Sequence, residues 1–236
     1  MIWLWLALVL VVGLVMYWLL VITEGTYLGT GAVIRMYDWT ARRYNAIKKL
    51  QPVYETYFLG VPLAERLRDV RHPRVLDVAA GTGRLMQTLL EGASSPATVT
   101  SVDHSLPMLR QAQQLPVATR NCTAFIQGDA QHLMFRDFAF DAVTCLEALE
   151  FMWDPRAAIV EMLRVLRPGG TLLLTNRIGW EAWFFPGRYT RRGRLEALLS
   201  DMGLTQIQSQ RWQVYYDLVW AVKPPSQEQT QTRRRA

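Results

Sequence analysis

Two cysteines and three histidines in 236 residues, and no charged side chain before Glu24, are the scarcities that first bound this sequence. Cys122 and Cys145 cannot staple a disulfide-dense secreted module. They fall at a strand start and a strand end, where buried reduced thiols are expected. His72, His104 and His132 lack the spacing of a metal site, so no metal is expected. Long apolar runs are equally scarce: residues 1–22 form one and no second exists, which excludes a polytopic transporter. At 50% hydrophobic and 19% charged the chain is not a disordered one, and it carries no internal repeat.

Residues 1–22 (MIWLWLALVLVVGLVMYWLLVI) are hydrophobic at every position but Gly13. A helix rising about 1.5 Å per residue needs about 20 apolar residues to cross about 30 Å of hydrocarbon, and this run meets that length. Trp3 and Trp5 at one end and Tyr17 and Trp18 near the other suit the two interfaces. The competing reading is a cleaved signal peptide, but no basic residue precedes the run and no small-x-small site follows it. Arg35, Arg42, Arg43, Lys48 and Lys49 all follow the span, so a single-pass anchor with its amino terminus outside and its body in the cytoplasm is expected.

The net charge of +6 is equally localised. Residues 24–49 carry +3, residues 177–194 carry +4 and residues 223–236 carry +3, leaving an acidic remainder. Basic patches on an acidic body beside a span fit an anionic lipid surface better than nucleic acid, which is disfavoured as a partner.

From Val33 to Leu50, apolar residues at helical spacing (Val33, Met36, Tyr37, Ala41, Tyr44, Ile47, Leu50) predict one amphipathic helix packed on the body or on a site. Residues 51–72 read as less regular. After Pro73, strands predicted at 74–78, 98–102, 123–127, 140–145 and 170–176 alternate with helices near 83–91, 105–115 and 155–167, which implies a parallel sheet with right-handed crossovers. A helix near 190–202 precedes two runs, 204–212 and 214–222, joined too tightly to be anything but antiparallel. The expected division is a transmembrane anchor over 1–22, a helical lead-in over 23–72, an α/β domain over 73–223 and a disordered basic tail over 224–236.

Chemistry gathers at the ends of the strands. In RVLDVAAGTGRL (74–85) a strand ends near Asp77 and turns through Gly81 and Gly83, where close backbone approach to a ligand is possible. The third glycine of the dinucleotide fingerprint is replaced by Met86, which weakens a nicotinamide or flavin reading. Asp103 ends the second strand, 20 residues after Gly83, where a carboxylate can accept from a ribose diol. Asp129 and the Ala130 backbone follow the third strand and suit the amino edge of an adenine. RPGG (167–170) turns the chain into the fifth strand.

In that order and spacing, residues 33–223 resemble the class I S-adenosylmethionine-dependent methyltransferases. The resemblance implies a Rossmann-like doubly wound seven-stranded sheet of order 3-2-1-4-5-7-6 with S-adenosylmethionine as cofactor. It assigns cofactor contacts to Tyr44, Asp77, Ala79, Gly81, Gly83, Asp103, His104, Met108, Asp129, Ala130 and Glu147. MYDWTARRYNAI (36–47) looks like the lead-in of quinone-biosynthesis and related lipid methyltransferases. Two departures stand out: Ala79 where the family usually has glycine, expected to narrow the cofactor loop slightly, and Phe151 in place of the histidine of a Glu-x-x-Glu-His segment, which argues against a metal.

The implied reaction is an in-line displacement in which alignment and exclusion of water supply most of the acceleration. A base is optional; Glu147 is the candidate, and positioning is its alternative role. Trp180, Trp183, Phe184 and Tyr189, interleaved with arginines in 177–194, are expected to form a lid over a lipid-soluble acceptor such as a quinone precursor or a phospholipid head group. The alternative is a membrane-tethered assembly factor that binds S-adenosylmethionine without turnover; a nicotinamide oxidoreductase stands third. Oligomeric state is not legible.

Overall fold

The computed structural model describes residues 1–48, 51–120, 124–185, 187–188 and 191–225. Helix α1 (Ile2–Tyr17) continues through one wider turn to Ile22, giving a 21-residue helix of mean hydropathy 2.7 that buries nothing. It is long and apolar enough to cross a membrane. The chain then turns sharply through Glu24, Gly25 and Gly29, all at positive φ.

The single helix expected over 33–50 is divided. α2 (Thr30–Thr40) ends in a tight turn, Ala41–Arg43, before α3 (Tyr44–Lys48). The Thr40 hydroxyl donates back to the carbonyls of Met36 and Tyr37, competing with the helical ladder at the break. Residues 51–72, expected to be irregular, instead hold a helix: α4 (Pro52–Glu55), a wider turn through Gly60, and α5 (Val61–Leu67). Pro52 opens it where a missing N–H costs nothing, and Pro62 falls just after the wider turn. Leu59, Leu63 and Leu67 recur every fourth residue and are buried, so packing overrides the two prolines.

Seven strands follow: β1 (Arg74–Val78), β2 (Thr98–Asp103), β3 (Ala124–Gln127), β4 (Phe140–Cys145), β5 (Leu166–Arg177), β6 (Thr205–Arg211) and β7 (Tyr216–Val222). Their order is β3-β2-β1-β4-β5-β7-β6, with β7 antiparallel to both neighbours, as the resemblance implied. Between them lie α6 (Arg84–Met86, extended to Gly92), α7 (Leu106–Gln113), α8 (Pro116–Arg120), α9 (Pro155–Val165) and α10 (Arg194–Asp201). β5 starts four residues before the expected Gly170, taking the RPGG turn into an irregular register against Phe140.

Alternation along the strands sorts the core. Val75, Val99 and Leu173 face Leu59, Leu63 and Leu89, while Leu76, Val143 and Leu172 face Ile159, Met162 and Leu199. A third cluster, Val33, Phe151 and Phe185 with Tyr37 and Phe184, sits above the sheet edge and ties α2 to the segment after β5. Cys145 is buried, and burial pushes its thiol up. Cys122, Tyr189, Lys49 and Leu50, and residues 226–236, which make up most of the expected tail, lie outside the described residues.

Candidate functional site

β1, β2 and β4 run parallel and in register, so Asp77–Val78, Asp103 and Cys145 reach one sheet edge together. A cleft enclosing about 840 Å³, open solvent included, lies above that edge. Its lining combines Gly81, Asp103, His104, Asp129 and Ala130 with the apolar or aromatic Val33, Ile34, Tyr37, Phe151 and Trp153. A smaller space of about 340 Å³ adjoins it around Asp77, Thr82 and Arg84, sharing Tyr44, Ala79, Gly81 and Leu146.

The turn after β1 is held open by backbone conformation. Gly81 and Gly83 sit at φ 54° and 83°, and an added Cβ at Gly81 would meet nothing within 4 Å, because that face is the cleft. Ala79 adopts the same left-handed region at φ 56° with a side chain that lines both spaces, as expected of a glycine position carrying a methyl.

Asp103 accepts from the Gly81 N–H and the Ser105 N–H, each at 2.8 Å, which aims its carboxylate along the turn. Burial raises its pKa and the two N–H groups oppose the rise. Asp77 is buried; burial pushes its carboxyl up to about 7, against the pull of the Thr144 hydroxyl at 2.8 Å. Asp129 is lowered: burial works against it, but the Gln131 N–H at 2.9 Å and His132 outweigh burial.

Glu147 is the strongest electrostatic feature. Its carboxylate meets the Lys48 ammonium at 2.8 Å and the Arg84 guanidinium at 2.7 Å, and Gln213 donates to it at 3.1 Å. Burial alone would raise this acid, but the two cations overcome it and hold the pKa at about 2. The effect is mutual. Burial would lower Lys48 and Arg84, and Glu147 instead raises both. A carboxylate so stabilised as an anion is a poor proton acceptor, which favours the positioning role of Glu147, as an ion-pair hub, over the role of base.

Several other expectations are corrected. Met108 is buried beneath the cleft, its N–H bonded to Ser105 Oγ, and lines neither space; Gly83 packs on Ala112 and Leu115. Lys48 is not a charge flanking the span, because Glu147 draws it inward. Trp180 and Trp183 are exposed and do not line the cleft. Phe184 and the fully buried Phe185 join the aromatic cluster, and α2, through Thr30, Val33, Ile34 and Tyr37, forms the cover the aromatics were expected to supply. His104 lines the cleft from an exposed position, and Tyr44 lies between both spaces.

Sequence reasoning missed Lys48, Arg84, Asn45 and Asp38. Asn45 accepts from Thr82 at 2.6 Å, and Asp38 accepts from the Ser105 hydroxyl, so α2 and α3 are stitched to both site loops. None of these pairs has a local sequence signal. Among the described residues no group of acids, histidines and cysteines could hold a metal.

A seven-stranded sheet in this order, with a carboxylate at the end of β2 and a glycine turn after β1, defines the class I S-adenosylmethionine-dependent methyltransferase fold. Residues 76–174 match the family described as a methyltransferase domain. The demethylmenaquinone methyltransferase of Renibacterium salmoninarum is 35% identical over 144 residues, 61% of this chain and 58% of that protein. The chain thus spans less than two thirds of the length of such curated relatives. Magnesium protoporphyrin IX methyltransferase of Synechocystis, solved with its S-adenosylmethionine, is 22% identical with TM-score 0.54, covering 72% of this chain and 80% of that one. The cyclase SpnF reaches TM-score 0.67 at 20% identity, covering 84% and 98%. These two likenesses carry the fold, not the reaction.

Proposed function

We propose that this chain is a membrane-anchored methyltransferase that transfers a methyl group from S-adenosylmethionine to a small, lipid-soluble acceptor, with a demethylated quinone precursor as first candidate. The observation that carries the reading is a cleft that combines the Gly81, Asp103 and Asp129 groups with an apolar, aromatic lining contributed by α2, the element that follows the apolar helix. Thr30, the first cleft residue, follows Ile22 by eight residues, a reach of at most about 28 Å. The demethylmenaquinone methyltransferase names of the relatives agree with an apolar, ring-bearing acceptor.

The residues present fit the cofactor. Asp103 uses one lone pair of each oxygen on backbone N–H groups and keeps the others for a diol. Gly81 leaves open space above the turn, Asp129 faces the cleft as an anion, and Arg84 offers further N–H donors beside Asp77 to a carboxylate. We assign the cofactor to Tyr44, Asp77, Ala79, Gly81, Asp103, His104, Asp129 and Ala130. When bound, it supplies a methyl group activated by the positive charge on its sulfur.

The protein's part is alignment and dryness. Tyr37 and Phe151 pack edge-on at 6.0 Å and Phe151 on Phe185 at 5.7 Å, shielding the apolar lining from water. Glu147 fixes α3 to the turn after β1 through Lys48 and Arg84, which keeps the cover in register with the cofactor loop. An acceptor oxygen that arrives as its anion needs no base; a ring carbon, once methylated, must still lose its proton, which can pass to water at the open side of the cleft.

Residues 1–22 are read as a retained anchor because the chain after them is part of the fold: Thr23 and Thr26 are buried. Arg35, Arg42 and Arg43, exposed after the apolar helix, support a body in the cytoplasm and an amino terminus outside. The full chain, incubated with labelled S-adenosylmethionine and detergent-dispersed lipid extract or a demethylated quinone reduced with dithionite to its quinol, should label the lipid fraction. Label confined to RNA or protein would remove the lipid acceptor, and cofactor binding without S-adenosylhomocysteine release would favour the assembly role.

A further inference from the structure

A second basin of about 1170 Å³, partly open to solvent, lies beyond β5, between the segment that follows it and the end of β6. It shares no lining residue with the cleft or the space beside it. Four of its lining side chains are arginines, Arg191, Arg192, Arg194 and Arg211.

Two of the four are committed. Arg192 makes a forked pair with buried Asp217 at 2.5 and 2.8 Å, and Arg211 donates to the carbonyls of Gln213 and Val214. The other two are not. Among the described residues no carboxylate pairs with Arg191 or Arg194, and Arg191 instead lies over the Trp183 ring, 4.7 Å from its centroid. Two unneutralised guanidinium groups over a committed pair form a concave site for an anion with several oxygens.

A separate observation fixes what the basin faces. The Trp18 ring, within the apolar helix, stacks on Tyr27 at 5.2 Å, and the Tyr27 hydroxyl donates to the Phe184 carbonyl at 3.2 Å. Phe184 adjoins Trp183, so the segment that carries the basin is bonded to the end of the span. Trp180 and Trp183 stand 61% and 71% exposed there, placed for the head-group layer, where indole rings are favoured.

We propose that this basin is a seat for the phosphodiester of an anionic phospholipid in the leaflet beside the span, held by Arg191 and Arg194 and bordered by Trp183. It rests on the reading of Ile2–Ile22 as a retained span, and it assigns the exposed tryptophans to the lipid surface, not to the acceptor. The seat and the span together hold the body at two points, which fixes the direction in which the cleft opens.

The test is native mass spectrometry of the full chain released from non-ionic detergent, titrated with phosphatidylglycerol, phosphatidylcholine, inorganic phosphate and a short RNA. One phosphatidylglycerol should bind in preference to phosphatidylcholine. Arg191→Gln/Arg194→Gln should weaken it about 30-fold, since each basic side chain near an anionic surface is worth about five-fold and two are lost. Arg35→Gln/Arg42→Gln should leave it unchanged. Equal binding of the two lipids, no loss in the double variant, displacement by phosphate at similar concentration, or tighter RNA binding would each overturn the seat. If the double variant does not fold, Trp183→Leu takes its place and should weaken phosphatidylglycerol binding; no change would overturn the seat. Carbonate extraction of membranes carrying the wild-type chain tests the span separately: release would reject the span whatever the lipid titration gives.

Discussion

Replacing Glu147 with Gln separates an ion-pair hub from a catalytic base. Glu147 falls from an ordinary 4.5 to about 2 in the folded protein, which corresponds to about 3 kcal/mol of stability. The residue is buried, so solvent screening does not discount this. Glutamine keeps the shape but leaves the Lys48 ammonium and Arg84 guanidinium without their anion, a loss of about 3–5 kcal/mol when one member of a buried pair is removed. For a chain of this size each kcal/mol moves the melting midpoint by about 2–4 °C, so a fall of at least about 6 °C is expected at pH 7. The sign of the pH dependence follows from the lowered pKa. The contribution is complete above about 4.5 and disappears as the pH falls towards about 2, so wild type and variant should converge on acidification. Intrinsic tryptophan fluorescence of the detergent-solubilised full chain, melted from pH 7 to pH 3, reads both effects. An unchanged melt at pH 7 together with lost turnover would refute the hub and restore the base.

Ala79→Gly removes a Cβ from a left-handed position and should stabilise by about 0.5–1 kcal/mol net of the added freedom of the unfolded chain, with cofactor affinity equal or higher by calorimetry. Asp77, pushed up to about 7, is a carboxyl that costs the fold stability as the pH rises from about 4 to about 7, while its ionisation favours a positively charged ligand. Cofactor affinity should therefore rise between pH 6 and 8, and the slope should vanish in Asp77→Asn. Glu55 is buried, has an oxygen without a partner and is pushed to about 7, so Glu55→Gln should raise the melting midpoint at pH 8 and leave it unchanged at pH 4.

The strands were legible because apolar residues cluster in short runs and the Asp77, Asp103 and Asp129 loops fall at the ends of those runs; their order in the sheet came only with the family resemblance that those loops carry. That Gly81, Asp103 and Asp129 line one cleft was legible for the same reason: each sits at or just after the end of a strand. The ion pairs around Glu147 were not. Lys48 and Glu147 are 99 residues apart and Arg84 and Glu147 are 63 apart, and neither pair repeats a spacing that a helix or strand would reveal. Arg84 was hidden inside a glycine turn, where attention goes to backbone freedom. Aromatic content identified 177–194 as special but could not say which way the rings face; in the fold Phe185 turns in while Trp180 and Trp183 turn out. Helical spacing did place Val33, Tyr37 and Tyr44 on a face packed against a site, although Thr40 breaks the helix between them.

The corner between the apolar helix and α2 has a practical consequence. Thr23 and Thr26 are buried, Tyr27 holds the Phe184 carbonyl, and Glu24 accepts from Tyr37 at 2.8 Å, so the residues just after the apolar helix are masonry of the fold around the cleft and not a leash. Trimming the first 29 residues to obtain a soluble protein would leave the sheet and the Asp103 loop intact while removing the footing of α2. Such a shortened enzyme should still bind its cofactor, and rates measured on it would describe a cleft with one wall unsupported.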